Sequence, residues 1–130
     1  MDDYQWYISS SHRNVFRGFH GSLSSGVRKE VIVLEGSIID YAVERDSTED
    51  NWKVSTKSLS AASCDSISIG PSEFHGFYVT SKTALVLYRL PRDYDHTKEQ
   101  TFNYESLMYE FPFTKPIMSQ KDQDAANFPI

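Results

Sequence analysis

A chain of 130 residues suits one domain around one core, and its formal charge of −5 argues against a nucleic-acid partner, because proteins that bind nucleic acids carry a basic face. The lone Cys64 rules out a disulfide framework or a cysteine-based zinc site within the chain, fits a reducing compartment, and is expected to be a half-buried small hydrophobe. The opening MDDYQWYISS is acidic and lacks the apolar stretch of a secretory leader, and no segment approaches the ~20 apolar residues of a membrane span.

In chain order, YQWYIS (4–9) alternates as a strand does. RGFHGS (17–22) then sets Arg17 and His20 three residues apart at the mouth of a sheet. Residues two apart on a strand share a face and residues three apart do not. The pair therefore converges only if the backbone bends, which Gly18 and Gly21 permit. KEVIVLEGSIIDYAVE (29–44) divides into two strands at Glu35-Gly36. NWKVSTKSL, DSISIG, FHGFYVTS and TALVLYRL follow as further strands between Ser-, Gly-, Asp- and Pro-containing turns. Short strands at this spacing predict an all-β antiparallel sandwich or barrel with little helix. HTKEQTFNYESLMYE (96–110) is the one candidate short helix, and SQKDQDAANFPI is a polar tail able to wrap over the body.

Taken in order, RGFH, KEVIVLEGSIID, IGPSEFHGFYV, LVLYRLPRDY and PIMSQKDQD resemble the successive motifs of the dTDP-4-dehydrorhamnose 3,5-epimerase family, over nearly the whole chain from Gln5 onward. The resemblance implies a cupin-type jelly roll over residues 1–130, with a tail from 117. It implies an isomerase that inverts C3, C5 or both in a nucleoside-diphosphate-linked 4-keto-6-deoxyhexose, feeding surface-polysaccharide (O-antigen) or other deoxysugar assembly in the cytoplasm. Three departures stand out. A segment that the family carries ahead of this point is absent from the sequence, so an open base pocket with weak base discrimination is expected. An Asn of the family is Tyr7 here, and the loop around RDSTEDNW is short.

Epimerisation beside a ketone needs a base with a pKa near neutral, an acid on the opposite face and a positive group at the enolate oxygen. The resemblance casts His20 as the base, Asp122 as its orienting acceptor, Lys29 as the enolate's cation and Tyr88 as the acid. Arg17 would grip the diphosphate, Tyr94 would stack on the base, and Asp40 and His75 would line the cavity. Alone, each has a plainer role. A strand-end histidine is usually surface or core, a strand-end lysine favours solubility, a tyrosine after apolar residues packs the core, and Asp124 is as good a tail acid as Asp122. If the strands bearing Lys29 and Asp40 were adjacent and antiparallel, the two would pair. His12 and His96 lie in polar turn sequence and are expected in solvent. The stretch after His20 lacks a second histidine, so neither a metal nor any other cofactor is expected. The expected partners are a sugar nucleotide and a second copy of the chain, with no nucleic acid and no membrane. Two alternatives stay open, a cupin-type 3,4-ketoisomerase and a non-catalytic sugar-nucleotide-binding protein.

Overall fold

The computed structural model describes residues 3–46 and 51–129. Among them run β1 (Tyr4–His12), β2 (Phe16–Gly21), β3 (Lys29–Glu35), β4 (Ser37–Asp46), β5 (Asn51–Ser60), β6 (Ser66–Ile69), β7 (Phe74–Val79), β8 (Thr83–Pro91), β9 (Gln100–Asn103), α1 (Gln120–Gln123) and β10 (Ala126–Asn127). Strands β1-β8-β3-β6 form one sheet and β10-β9-β2-β7-β4-β5 the other. The short loop expected around RDSTEDNW includes residues 47–50, which lie outside the described residues.

The predicted break at Glu35-Gly36 passes the chain from one sheet to the other. Gly36 has φ +79°, and a Cβ there would fall 2.1 Å from the Thr83 carbonyl oxygen, so the turn needs glycine. Beyond it, β4 is buried on both faces, which accounts for its near-continuous apolar run. Ile38 and Ala42 join Val31, Val33, Phe77 and Val86 between the sheets. Tyr41 and Val43 face the other way, into an aromatic cluster with Phe16, Phe19, Phe74, Phe113 and Phe128. Each fully buried large apolar side chain contributes roughly 1.5–3 kcal/mol. The second cluster therefore does more than cover the six-stranded sheet, because it fixes the C-terminal segment against it. The result is the two-sheet jelly roll that the strand spacing and the family resemblance both imply.

Two local expectations are corrected. Residues 96–110 do not form a helix but two 3-10 turns, His96–Lys98 and Tyr104–Ser106, on either side of β9. Asp95 and Asn103 side chains accept from the Thr97 and Glu105 amides and cap the turns, while β2 offers hydrogen-bonding groups that recruit 100–103 as a strand. Phe102 and Leu107 are buried in the aromatic cluster, and that burial outweighs a weak helical propensity. Cys64 is exposed rather than half-buried, because it closes a tight turn with φ +55° and its amide bonded to the Ala61 carbonyl.

Candidate active site

Arg17 and His20 are brought together by a bulge. On β7 their partners are Phe77 and His75, two residues apart, so Gly18 and Phe19 of β2 lie opposite Gly76 alone. The extra residue puts Arg17 and His20 on one face, into a cleft that Phe77 and His75 also line, while Phe19 turns into the aromatic cluster. Gly18 makes the bulge possible. Its φ is +138°, and a Cβ would lie 2.7 Å from Gly76 Cα and 2.9 Å from the His75 carbonyl oxygen. Gly18→Ala is expected to lower stability by about 3 kcal/mol, read as a fall in the urea midpoint. An unchanged midpoint would mean that the bulge relaxes at little cost.

The bulge also aims the Gly18 amide at the C-terminal tail. Asp122 Oδ2 accepts from Gly18 N–H at 3.1 Å, and Oδ1 lies 2.8 Å from His20 Nε2. Asp122 is carried by α1, which Ser119 caps by accepting from the Asp122 amide. Asp124 closes the same turn, exposed, and takes a hydrogen bond from Gln120. Burial pushes the Asp122 carboxyl up, but the hydrogen bond and charge of His20, with the Gly18 amide, outweigh it and hold the group below the usual carboxylate range. A carboxylate accepts only, so Nε2 of His20 carries the hydrogen, and in the neutral imidazole the second ring nitrogen holds the lone pair.

Beside it, His75 and Asp40 form a second, fully buried pair, Nε2 to Oδ2 at 2.5 Å. Burial lowers the His75 pKa against the opposing pull of Asp40, so the imidazole is held neutral. The expected ion pair between Lys29 and Asp40 does not form. Their strands belong to different sheets, and Asp40 bonds His75 instead.

Lys29 and Tyr88 reach the cleft from the four-stranded sheet, facing His20 on the six-stranded one. The Lys29 ammonium stands 5.8 Å from the centre of the Tyr88 ring. Burial lowers the Lys29 pKa, and the charges of Glu99 and Asp40 counter it. Burial raises the Tyr88 phenol, against the pull of the neighbouring Ser9 hydroxyl, so Tyr88 is protonated at neutral pH. Arg17 is anchored by Nε to Ser11 Oγ at 2.8 Å. The cleft holds about 230 Å³, below the range that encloses a drug-sized ligand. It therefore fits a sugar ring and leaves the rest of a larger ligand outside. Among the described residues, no group of three or more His, Cys, Asp or Glu is placed to hold a metal ion, and no helix is long and apolar enough to cross a membrane.

Tyr94 lines an adjoining hollow shared with His20 and Lys29 rather than the main cleft, and its hydroxyl donates to Glu99 at 2.6 Å. Six lining residues escaped the sequence reading as site residues, the apolar Phe77 and Leu90 and the polar Tyr7, Ser9, His96 and Glu99. The alternation of β1 puts Tyr7 and Ser9 on its inner face and was the available signal for those two. His96 is exposed, as its turn sequence predicts, yet it stands at the cleft wall.

The model of the dTDP-4-dehydrorhamnose 3,5-epimerase family matches residues 2–129. A dTDP-4-dehydrorhamnose 3,5-epimerase of Neisseria gonorrhoeae is 30% identical over 118 residues, which are 88% of this chain and 36% of that one. The chain thus spans little more than a third of that curated relative's length. The crystal structure of a dTDP-4-dehydrorhamnose 3,5-epimerase from Elizabethkingia anophelis superposes with a TM-score of 0.84 at 30% identity, over 95% of this chain and 71% of that one. A dTDP-6-deoxy-D-glucose-3,5-epimerase from Legionella pneumophila, in complex with dTDP-4-keto-L-rhamnose, gives 0.80 at 28% identity, over 97% and 70%. With its sequence matched nearly end to end and its two sheets superposed on those of these enzymes, the chain belongs to the dTDP-4-dehydrorhamnose 3,5-epimerase family.

Proposed function

We propose that the chain is a sugar-nucleotide epimerase that inverts C3, C5 or both in a nucleoside-diphosphate-linked 4-keto-6-deoxyhexose. The observation that carries this reading is the opposition of the His20–Asp122 pair on one sheet to Lys29 and Tyr88 on the other, across one cleft. The lone pair of His20 removes a proton α to the C4 ketone, and the electron pair moves onto the C4 oxygen. Lys29 stabilises that oxygen as it gains charge. Tyr88 returns a proton to the carbon from the opposite face, and solvent reprotonates the phenolate and takes the proton from His20. Family membership and the ligand of the Legionella structure support the substrate class. Such substrates are built from cytoplasmic nucleotides, so the activity belongs in the cytoplasm, in surface-polysaccharide or other deoxysugar assembly.

The reading includes a homodimer. The outer face of the four-stranded sheet carries a cross-strand apolar row, Ile8, Leu87 and Ile32, with Trp6 54% and Ile8 62% exposed. A contiguous apolar face of this kind marks a partner surface, and β1 beside it is a sheet edge.

Incubation with a dTDP-4-keto-6-deoxyhexose in deuterated water tests the function. Deuterium at C3 or C5 with inversion is expected. A ketone moved to C3 would make the chain an isomerase of the other type, and no exchange would reduce it to a binding protein.

A further inference from the structure

The wall of the cleft along β1 carries a hydrogen-bond chain whose direction is fixed at every step. The Gln5 amide donates from Nε2 to the carbonyls of Arg92 and Tyr94, at 2.5 and 3.0 Å, so its Oε1 faces the other way and can only accept. Tyr7 donates its single hydroxyl proton to that Oε1 at 2.6 Å. His96 Nε2 lies 2.7 Å from the same Tyr7 oxygen, which has no proton left to give, so Nε2 is the donor. The ring is further held edge-on between Tyr7 and Tyr94, at centroid distances of 4.8 and 4.7 Å. In the neutral imidazole the remaining nitrogen, Nδ1, is then an unprotonated acceptor, and it makes no hydrogen bond to a described residue. Protonation adds a donor at Nδ1 and disturbs nothing else in the chain.

Tyr7 and His96 line the cleft yet are exposed, whereas Lys29 and Tyr88 stand deeper between the sheets. A ligand whose sugar ring lies among the buried groups meets Tyr7 and His96 on its way out. In a sugar nucleotide that part is the diphosphate on the anomeric carbon. The chain's net charge of −5 opposes a dianion, so each cation at the wall matters to its binding. We propose that His96, its Nε2–H held by Tyr7, is a proton-dependent contact for the diphosphate of the bound sugar nucleotide. This inference rests on the substrate class proposed above and adds a residue to it. Imidazole is the side chain that gains its charge between about pH 5 and 8. The protonated form binds the anion, so affinity is greatest at acid pH and falls as pH rises across the range in which imidazole loses its charge.

Tyr7 from β1, Tyr94 ahead of the turn, Asp95 and Lys98 on it and Glu99 after it surround His96, and Arg17, His20, Lys29 and His75 share the cleft. Their titration is common to the wild type and a His96 variant, so the difference between the two isolates His96. The ligand for the test is dTDP-glucose, a diphosphate diester that does not itself titrate in this range and has no ketone to react. Calorimetry at about pH 5.5 and about pH 8 compares the wild type with His96→Gln, whose amide can still donate to Tyr7. The variant is expected to lose about tenfold in affinity at the acid pH and little at the alkaline one. In ¹⁵N-edited spectra of the wild type, dTDP-glucose should move the His96 titration to higher pH. Parallel affinity profiles for the two proteins, or a His96 titration that the ligand leaves in place, overturn the contact alone. A wild type that binds dTDP-glucose at neither pH overturns both this contact and the substrate class beneath it.

Discussion

His20→Asn is expected to lower deuteron incorporation into the sugar by about four orders of magnitude, with the fold intact. The side chain lies at the cleft and its neighbours are held by other contacts, since Phe19 fills the aromatic cluster and Arg17 is anchored on Ser11. An asparagine there has no lone pair basic enough to take a carbon-bound proton. Asp122→Asn should approach the same loss by a different route. Its amide can present a donor where the carboxylate presents an acceptor, which favours the imidazole tautomer with the lone pair turned away from substrate. It also removes the negative charge that steadies the imidazolium during the reaction. Rates of exchange by NMR, beside thermal melts to establish folding, check both variants. Near-normal exchange in His20→Asn would place the base elsewhere, and His75 is too well buried against Asp40 to be the substitute. A large loss in His20→Asn with none in Asp122→Asn would reduce the tail aspartate to an anchor for the Gly18 bulge.

What the sequence made legible follows from how local each feature is. The break at Glu35-Gly36 is a glycine with positive φ in a tight turn, and Arg17 and His20 could converge only through a bend, which the sequence allowed at Gly18 or Gly21 and the structure makes at Gly18. Strand alternation on β1 likewise needs only neighbours in sequence. The features that failed need knowledge of the sheet order. Lys29 and Asp40 are close in sequence, on consecutive strands, but the chain crosses between sheets at Gly36, so proximity along the chain misled. The segment 96–110 has no strong period of its own, and the free edge of β2 decided its fate. His96 read as a solvent residue because its turn is polar, and its place at the cleft depends on Gln5 and Tyr7 reaching across from β1. Asp122 is the opposite case. Nothing local distinguishes it from Asp124, and only the resemblance of the tail motif pointed to the residue that meets His20.

Tyr88→Phe should separate two halves of the reaction that His20→Asn stops together. The substitution removes one hydroxyl and keeps the ring, which packs against His75 and Phe77 at centroid distances of 6.1 and 6.4 Å, so the cleft keeps its shape. His20, Asp122 and Lys29 remain, and with them proton removal and stabilisation of the enolate. The face opposite His20 loses its donor, because burial holds the Tyr88 phenol protonated and no other side chain has been assigned that role. The enolate then recovers its proton mainly from His20, on the face it came from, after the imidazolium has traded with solvent. The expected result is deuterium exchange within about tenfold of the wild type, with inverted product formed some 10²–10⁴-fold more slowly, the range for loss of a general acid. Exchange followed by NMR and product stereochemistry by chromatography, on the same reaction, give both rates. Equal loss of exchange and inversion would make Tyr88 a residue that places the sugar rather than one that protonates it. In that case the acid should be sought among the remaining polar groups of the four-stranded sheet, beginning with Lys29, whose pKa is already lowered by burial.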